Sequence, residues 1–185
     1  MKEKKDTERR LTPEEKEERE EREITKELGA AGLIKNQQNS EFFLVENEGE
    51  WSIPVGHKKR VDKTLRDTFF REMKEEIKLD ADGIIWLESL GTVFVQKDKN
   101  SPKKWFEVIY IKVDAQTAQK LEYSEKGKHL SIWVKRLKAE ALSNLDMLGQ
   151  KALALYREKY VTRRFIAGGD YDKNGVLSEG DSCQI

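Results

Sequence analysis

At 185 residues the chain has the length of one ordinary domain with short extensions. Its 35 basic and 35 acidic residues cancel, so no global field draws it to nucleic acid or to a membrane surface, although a local basic patch is compatible with that sum. The single cysteine, Cys183, excludes an internal disulfide and fits a reducing compartment, with the cytoplasm as the expectation. No run approaches the roughly 18–20 apolar residues a membrane span needs, and the N-terminus is too charged for a secretory signal.

In chain order, residues 1–28 read as a charged helical extension. Thr12, Pro13 and Glu15 give a helix start: a hydroxyl cap, a proline in the first turn and a glutamate three residues after the cap. Glutamate then alternates with arginine and lysine, and apolar residues are nearly absent before Ile24 and Leu28. Such a helix relies on ion pairs four residues apart, and no heptad marks it as a dimerising arm. Residues 29–35 predict a first strand, 36–40 a polar turn and 41–45 a second strand. After a turn at 47–50, residues 51–56 predict a short strand that ends at Pro54 and Gly56. A basic loop, His57 to Lys63, leads to Thr64 as the N-cap of a helix.

That helix carries the main chemical signal. Leu65, Phe69, Met73 and Ile77 recur every four residues and form a stripe for burial. Glu72, Glu75 and Glu76 stand at i, i+3 and i+4, on one helical face. Three carboxylates on one face repel one another unless a cation lies among them, and hard divalent ions take such oxygens.

Downstream, residues 84–96 predict one or two strands interrupted near Ser89 and Gly91, and 97–104 a loop. Residues 105–113 are apolar on both faces, as in a central strand covered on both sides. Residues 130–134 predict a last strand, followed by helices at about 137–142 and 146–160. The order of strands, helix, strands and helices predicts an α/β fold: an α/β/α sandwich around a mixed central sheet, spanning 29–160. A polar tail, 161–185, contains Asp170, Asp172, Asn174, Ser178 and Asp181 around Gly175. This segment resembles an EF-hand or dockerin-type calcium loop, with oxygens at positions 1, 3, 5, 9 and 12; a flexible polar tail is the expectation, and the resemblance implies a low-affinity Ca²⁺ site as the alternative. Its last ligand is Asp181 in place of the usual glutamate, and only four residues follow, too few for an exit helix.

Arg71-Glu72-Met73-Lys74-Glu75-Glu76-Ile77-Lys78-Leu79, preceded by Trp51, Pro54 and Gly56, resembles the signature of the Nudix hydrolases. The helical half matches at Arg71, Glu72, Met73, Glu75, Glu76 and Leu79. The loop departs from the signature. It is one residue longer, Val55 replaces the first glycine, Lys63 falls at the loop glutamate with Asp62 beside it as a stand-in, and Lys78 replaces the glycine after the helix.

The resemblance implies a Mg²⁺- or Mn²⁺-dependent pyrophosphohydrolase. It would cleave the diphosphate bond of a nucleoside diphosphate linked to another group, by attack of metal-activated water. It implies Glu72, Glu75, Glu76 and the Gly56 carbonyl as metal ligands. It also implies Arg71, Glu72, Glu75 and Glu76 as catalytic residues, with Arg71 orienting a glutamate. A general base would be a helix glutamate, or Glu122 or Glu125 on a later loop. Lys58, Lys59 and Arg60 would meet the substrate phosphates, and capped or triphosphorylated RNA is within that chemistry. His57, a lone histidine beside a glycine, is not expected to be catalytic. A homodimer is compatible with this reading. The altered loop keeps an alternative open, a Nudix-fold module that binds a nucleotide or a partner without turnover.

Overall fold

The computed structural model describes residues 12, 28–96, 99–121 and 130–162. The expected leader helix past Thr12, Glu122, Glu125 and the calcium-loop-like segment from Asp170 to Asp181 lie outside the described residues.

Among the described residues seven strands form one mixed sheet: β1 Leu28–Asn36, β2 Glu41–Asn47, β3 Glu50–Ser52, β4 Val55–His57, β5 Ile84–Val95, β6 Lys104–Val113 and β7 Ser131–Lys135. The main path runs β3-β2-β1-β6-β5, with β4 on β1 and β7 on β2. β1 and β6 are parallel along their whole length, from Leu28 opposite Trp105 to Asn36 opposite Val113. The other edge of β1 is shared. β2 meets it at Lys35 and β4 at Gly29 to Ala31, both antiparallel. The helices are α1 Leu65–Ile77, α2 Ala115–Lys120, α3 Arg136–Glu140 and α4 Met147–Tyr156.

Alternation along the central strands builds two cores. Ala31 and Leu33 of β1, with Phe106, Val108 and Tyr110 of β6, join Ala139, Leu148, Ala152 and Leu153 of α3 and α4. Ala30 and Ile34, with Ile109, Ile111 and Val113, join Phe69, Met73 and Ile77 of α1 and Ala118 of α2. Side chains of a strand point alternately to its two faces, so a strand between two helical layers must be apolar on both. The chain is thus an α/β/α sandwich around a mixed sheet.

Several boundaries differ from expectation. β1 begins at Leu28, where the leader was expected to end, because Leu28 already pairs with Trp105. Residues 51–56 make two strands on different partners instead of one: β3 pairs with β2 and β4 with β1, separated by Ile53 and Pro54. Residues 84–95 form one strand with a bulge between Ser89 and Gly91, where Gly91 has φ 126°. Gly91 supplies a conformation that other residues rarely adopt. β6 is covered on both faces only from Val108 to Ile111, and Trp105 is exposed. α2 was not anticipated, although Asp114 caps it by accepting from the backbone N–H of Thr117 at 2.6 Å.

Candidate active site

α1 is fixed at both ends. Thr64 Oγ1 accepts from the Asp67 N–H at 3.1 Å, and Asp67 Oδ2 accepts from the Thr64 N–H at 2.8 Å, a reciprocal cap. Burial of Phe69, Met73 and Ile77 sets the rotation of the helix. Glu72, one residue before Met73, is thereby turned against β4 and is only 9% exposed. Gly56 makes room for it. A Cβ built on Gly56 would lie 1.8 Å from Cγ and 2.1 Å from Cδ of Glu72. Any larger residue would push the carboxylate away from the strand.

Arg71 organises the acids. Its Nε and Nη2 donate to the two oxygens of Asp62 at 3.0 and 2.6 Å. Nη2 also donates to the His57 carbonyl at 3.0 Å, and Nη1 donates to the carboxylates of Glu72 and, at 3.3 Å, Glu75. Asp62 is 6% exposed and accepts further bonds from the Lys59 N–H at 2.8 Å and the Thr68 hydroxyl at 3.1 Å. Donation from Arg71 holds the Asp62 carboxyl well below the usual carboxylate range. Burial opposes this, and the Lys59 and Thr68 bonds add to it. The same pairing raises the Arg71 guanidinium above its ordinary value. The loop acid beside Arg71 is therefore Asp62; Lys63 is exposed.

A cleft of about 450 Å³ opens beside this network. Glu72, Glu75 and Glu76 line its helix side, and Gly56, Lys58 and Lys59 its loop side. Lys59 Nζ lies 3.2 Å from Glu75. Arg60 is exposed and is not among the lining residues. The His57 ring packs edge-on against Phe106, 5.5 Å between centroids, and Phe106 belongs to the core on the α4 side. Burial, then the charge of Lys104, lowers the His57 pKa and favours the neutral ring. His57 also lines the cleft, and its carbonyl accepts from Arg71.

The donor set consists of hard oxygens beside lysines, the chemistry a divalent cation and a phosphate ester share. Gly56 leaves the Glu72 carboxylate room to face them. In the conformation present, Glu72 and Glu75 are turned to Arg71 and Lys59. Among the described residues no three His, Cys, Asp or Glu side chains converge as a ready ligand set. Glu72, Glu75 and Glu76 are the carboxylates on the cleft wall that could hold such a cation.

The NUDIX domain model matches residues 25–156, and the chain belongs to the Nudix family. No curated protein matches it in sequence. Solved structures share its fold. The dihydroneopterin triphosphate pyrophosphohydrolase of E. coli is 16% identical with a TM-score of 0.59, over 75% of this chain and 97% of that one. An Ap4A hydrolase of C. elegans, in a binary complex, is 18% identical with a TM-score of 0.55, over 76% and 98%. The NUDIX domain of NrtR from Shewanella oneidensis, complexed with ADP ribose, is 17% identical with a TM-score of 0.54, over 71% and 86%.

Proposed function

We propose that the protein is a Nudix hydrolase that cleaves a diphosphate bond in a nucleoside diphosphate derivative, using Mg²⁺ or Mn²⁺. The observation that carries this is the Glu72 carboxylate, pinned between Gly56 and Arg71 at the wall of a cleft that Glu75, Glu76, Lys58 and Lys59 also line. Glu72 and Glu76, with Glu75 and the Gly56 carbonyl, would hold the metal, which when bound neutralises phosphate oxygens and acidifies water. Arg71 is a positioning residue: its fork fixes Glu72 and ties the helix to the loop through Asp62. Lys58 and Lys59 draw in the polyphosphate. One of the helix glutamates that line the cleft would take the proton of the attacking water.

The related structures that bind ADP ribose or act on Ap4A support nucleotide chemistry at this fold. The altered loop, one residue longer and with Lys63 and Lys78 at the signature's glutamate and glycine, keeps open the second reading, a nucleotide-binding module without turnover. Phosphate release from nucleoside triphosphates, ADP-ribose, dinucleoside polyphosphates and capped RNA, with Mg²⁺ or Mn²⁺, separates the two. The hydrolase should turn over at least one of them. Glu76→Gln should lower kcat by about a hundred-fold or more, the scale on which one electrostatic contact to a transition state acts. Binding without turnover on the whole panel would establish the second reading instead.

A further inference from the structure

The face of β6 that meets α1 continues past the helix. Ile109, Ile111 and Val113 are buried beneath α1, while Glu107 and Trp105, two and four residues earlier on the same face, are not. Trp105 is 42% exposed, and its cross-strand partner Phe94 is 45% exposed. Their rings lie 5.5 Å apart at 51°. Lys151 Nζ sits 4.2 Å from the Phe94 centroid and Lys103 Nζ 6.0 Å. Phe94 is therefore a buttress, flanked on its other sides by lysines, and Trp105 carries the open aromatic face.

Register connects this pair to the cleft. Trp105 lies opposite Leu28, whose carbonyl accepts from the N–H of Lys58, a residue of the cleft wall. Two strand spacings separate Trp105 from Lys58, and Gly56 lies two residues further along, so the backbones of Trp105 and Gly56 are about 12 Å apart. That is the reach of an extended nucleoside diphosphate. Between them, on the same face, is the carboxylate of Glu107, which suits sugar hydroxyls and repels phosphate. Lysines 58, 59 and 103 border the path. A flat, apolar-faced, anionic ligand matches this surface.

We propose that Trp105 is the platform on which the aromatic base of the substrate nucleotide stacks, with the phosphates running back across β1 to Glu72. This rests on the cleft being a phosphate site. The test is calorimetric binding of ADP and of inorganic pyrophosphate, each with Mg²⁺, to the intact protein and to Trp105→Ala, Trp105→Leu and Trp105→Phe. Base stacking on an aromatic side chain is lost on truncation by about ten- to a hundred-fold in affinity. Alanine and leucine should cost ADP that much and leave pyrophosphate binding unchanged, while phenylalanine should retain most of the ADP affinity. Circular dichroism confirms folding, and leucine replaces alanine as the test if the alanine variant is unfolded. Equal losses for both ligands, or no loss for ADP, would overturn the platform. The two readings fail separately. Absent turnover with base-dependent binding sinks only the hydrolase, while turnover with a nucleotide KM indifferent to Trp105→Ala sinks only the platform.

Discussion

Arg71 serves three carboxylates and a carbonyl with one planar group, a task that suits a guanidinium and not an ammonium. Its strongest partner is Asp62, which has little access to water. Removing the Asp62 charge leaves Arg71 with Glu72 and Glu75 as its anionic partners and weakens the bonds from the Lys59 N–H and the Thr68 hydroxyl, at a cost of about 2–3 kcal/mol. Asp62→Asn should therefore lower the unfolding free energy at pH 7 by about that amount, while Lys63→Ala should change it by less than about 0.5 kcal/mol. The pH dependence follows from the depressed Asp62 pKa. Between its folded value and its ordinary value the unfolded chain binds more protons, so stability rises with pH there. The contribution is complete above the ordinary carboxylate range and is lost as pH falls below about 4. Urea titrations of both proteins from pH 7 to pH 2 should show the gap closing only at the acid end. A gap that persists unchanged at pH 2 would mean that Asp62 acts through packing and not through charge. At this scale the clustering of the three glutamates was legible from helical spacing, and Arg71 only from the resemblance to the family signature. The role of Asp62 over Lys63 was legible only as an alternative. It depends on how a loop one residue longer folds back, which no local periodicity encodes.

As an element, α1 ends in an unusual way. Lys78 adopts a left-handed conformation, φ 59°, and Leu79 N–H returns to the Met73 carbonyl. Glycine takes that conformation without the side-chain clash that costs other residues about 1–2 kcal/mol. Lys78→Gly should raise stability by about 0.5–1 kcal/mol, after subtracting the greater freedom of glycine in the unfolded chain and the bond from Lys78 Nζ to the Glu75 carbonyl. Thermal melts of the two proteins would check this, and a loss of stability would show that the lysine contact outweighs the strain. The helix itself was plain in the sequence from its stripe and its threonine cap. Both β-branched and aromatic runs of the central strands were plain too. What was hidden depended on partners: the split of 50–57 between two strands, the unbroken passage of β5 through its bulge, and the exposure of Trp105. α2 is six residues long, too short for a periodic signal, and only Asp114 announces it.

At the scale of the molecule, the carboxylate cleft lies outside both hydrophobic cores. Stability and catalysis should therefore separate. If the proposed hydrolase reading holds, chelation of metal should abolish turnover and leave the far-ultraviolet spectrum and the melting cooperativity intact. Mg²⁺ with a nucleotide held at about a hundred times its Kd should add about 2.7 kcal/mol to the folded state. For a chain of this size that is a rise in Tm of about 5–10 °C. No rise with any nucleotide of the panel would count against the cleft as a binding site. Among the described residues no helix is long and apolar enough to cross a membrane.

The parallel pairing of β1 with β6 also has a consequence for synthesis. Leu28–Asn36 finds its full-length neighbour only in Lys104–Val113, and Phe42 and Phe43 meet Val134 and Trp133 later still. While the nascent chain leaves the ribosome, the apolar faces of the first two strands have no distant partner to cover them. Contacts so remote in sequence form late, and exposed strand edges invite association between chains. Dependence on chaperones should thus be greatest while β1 and β2 have emerged and β6 and β7 have not, and least once α4 closes the second layer.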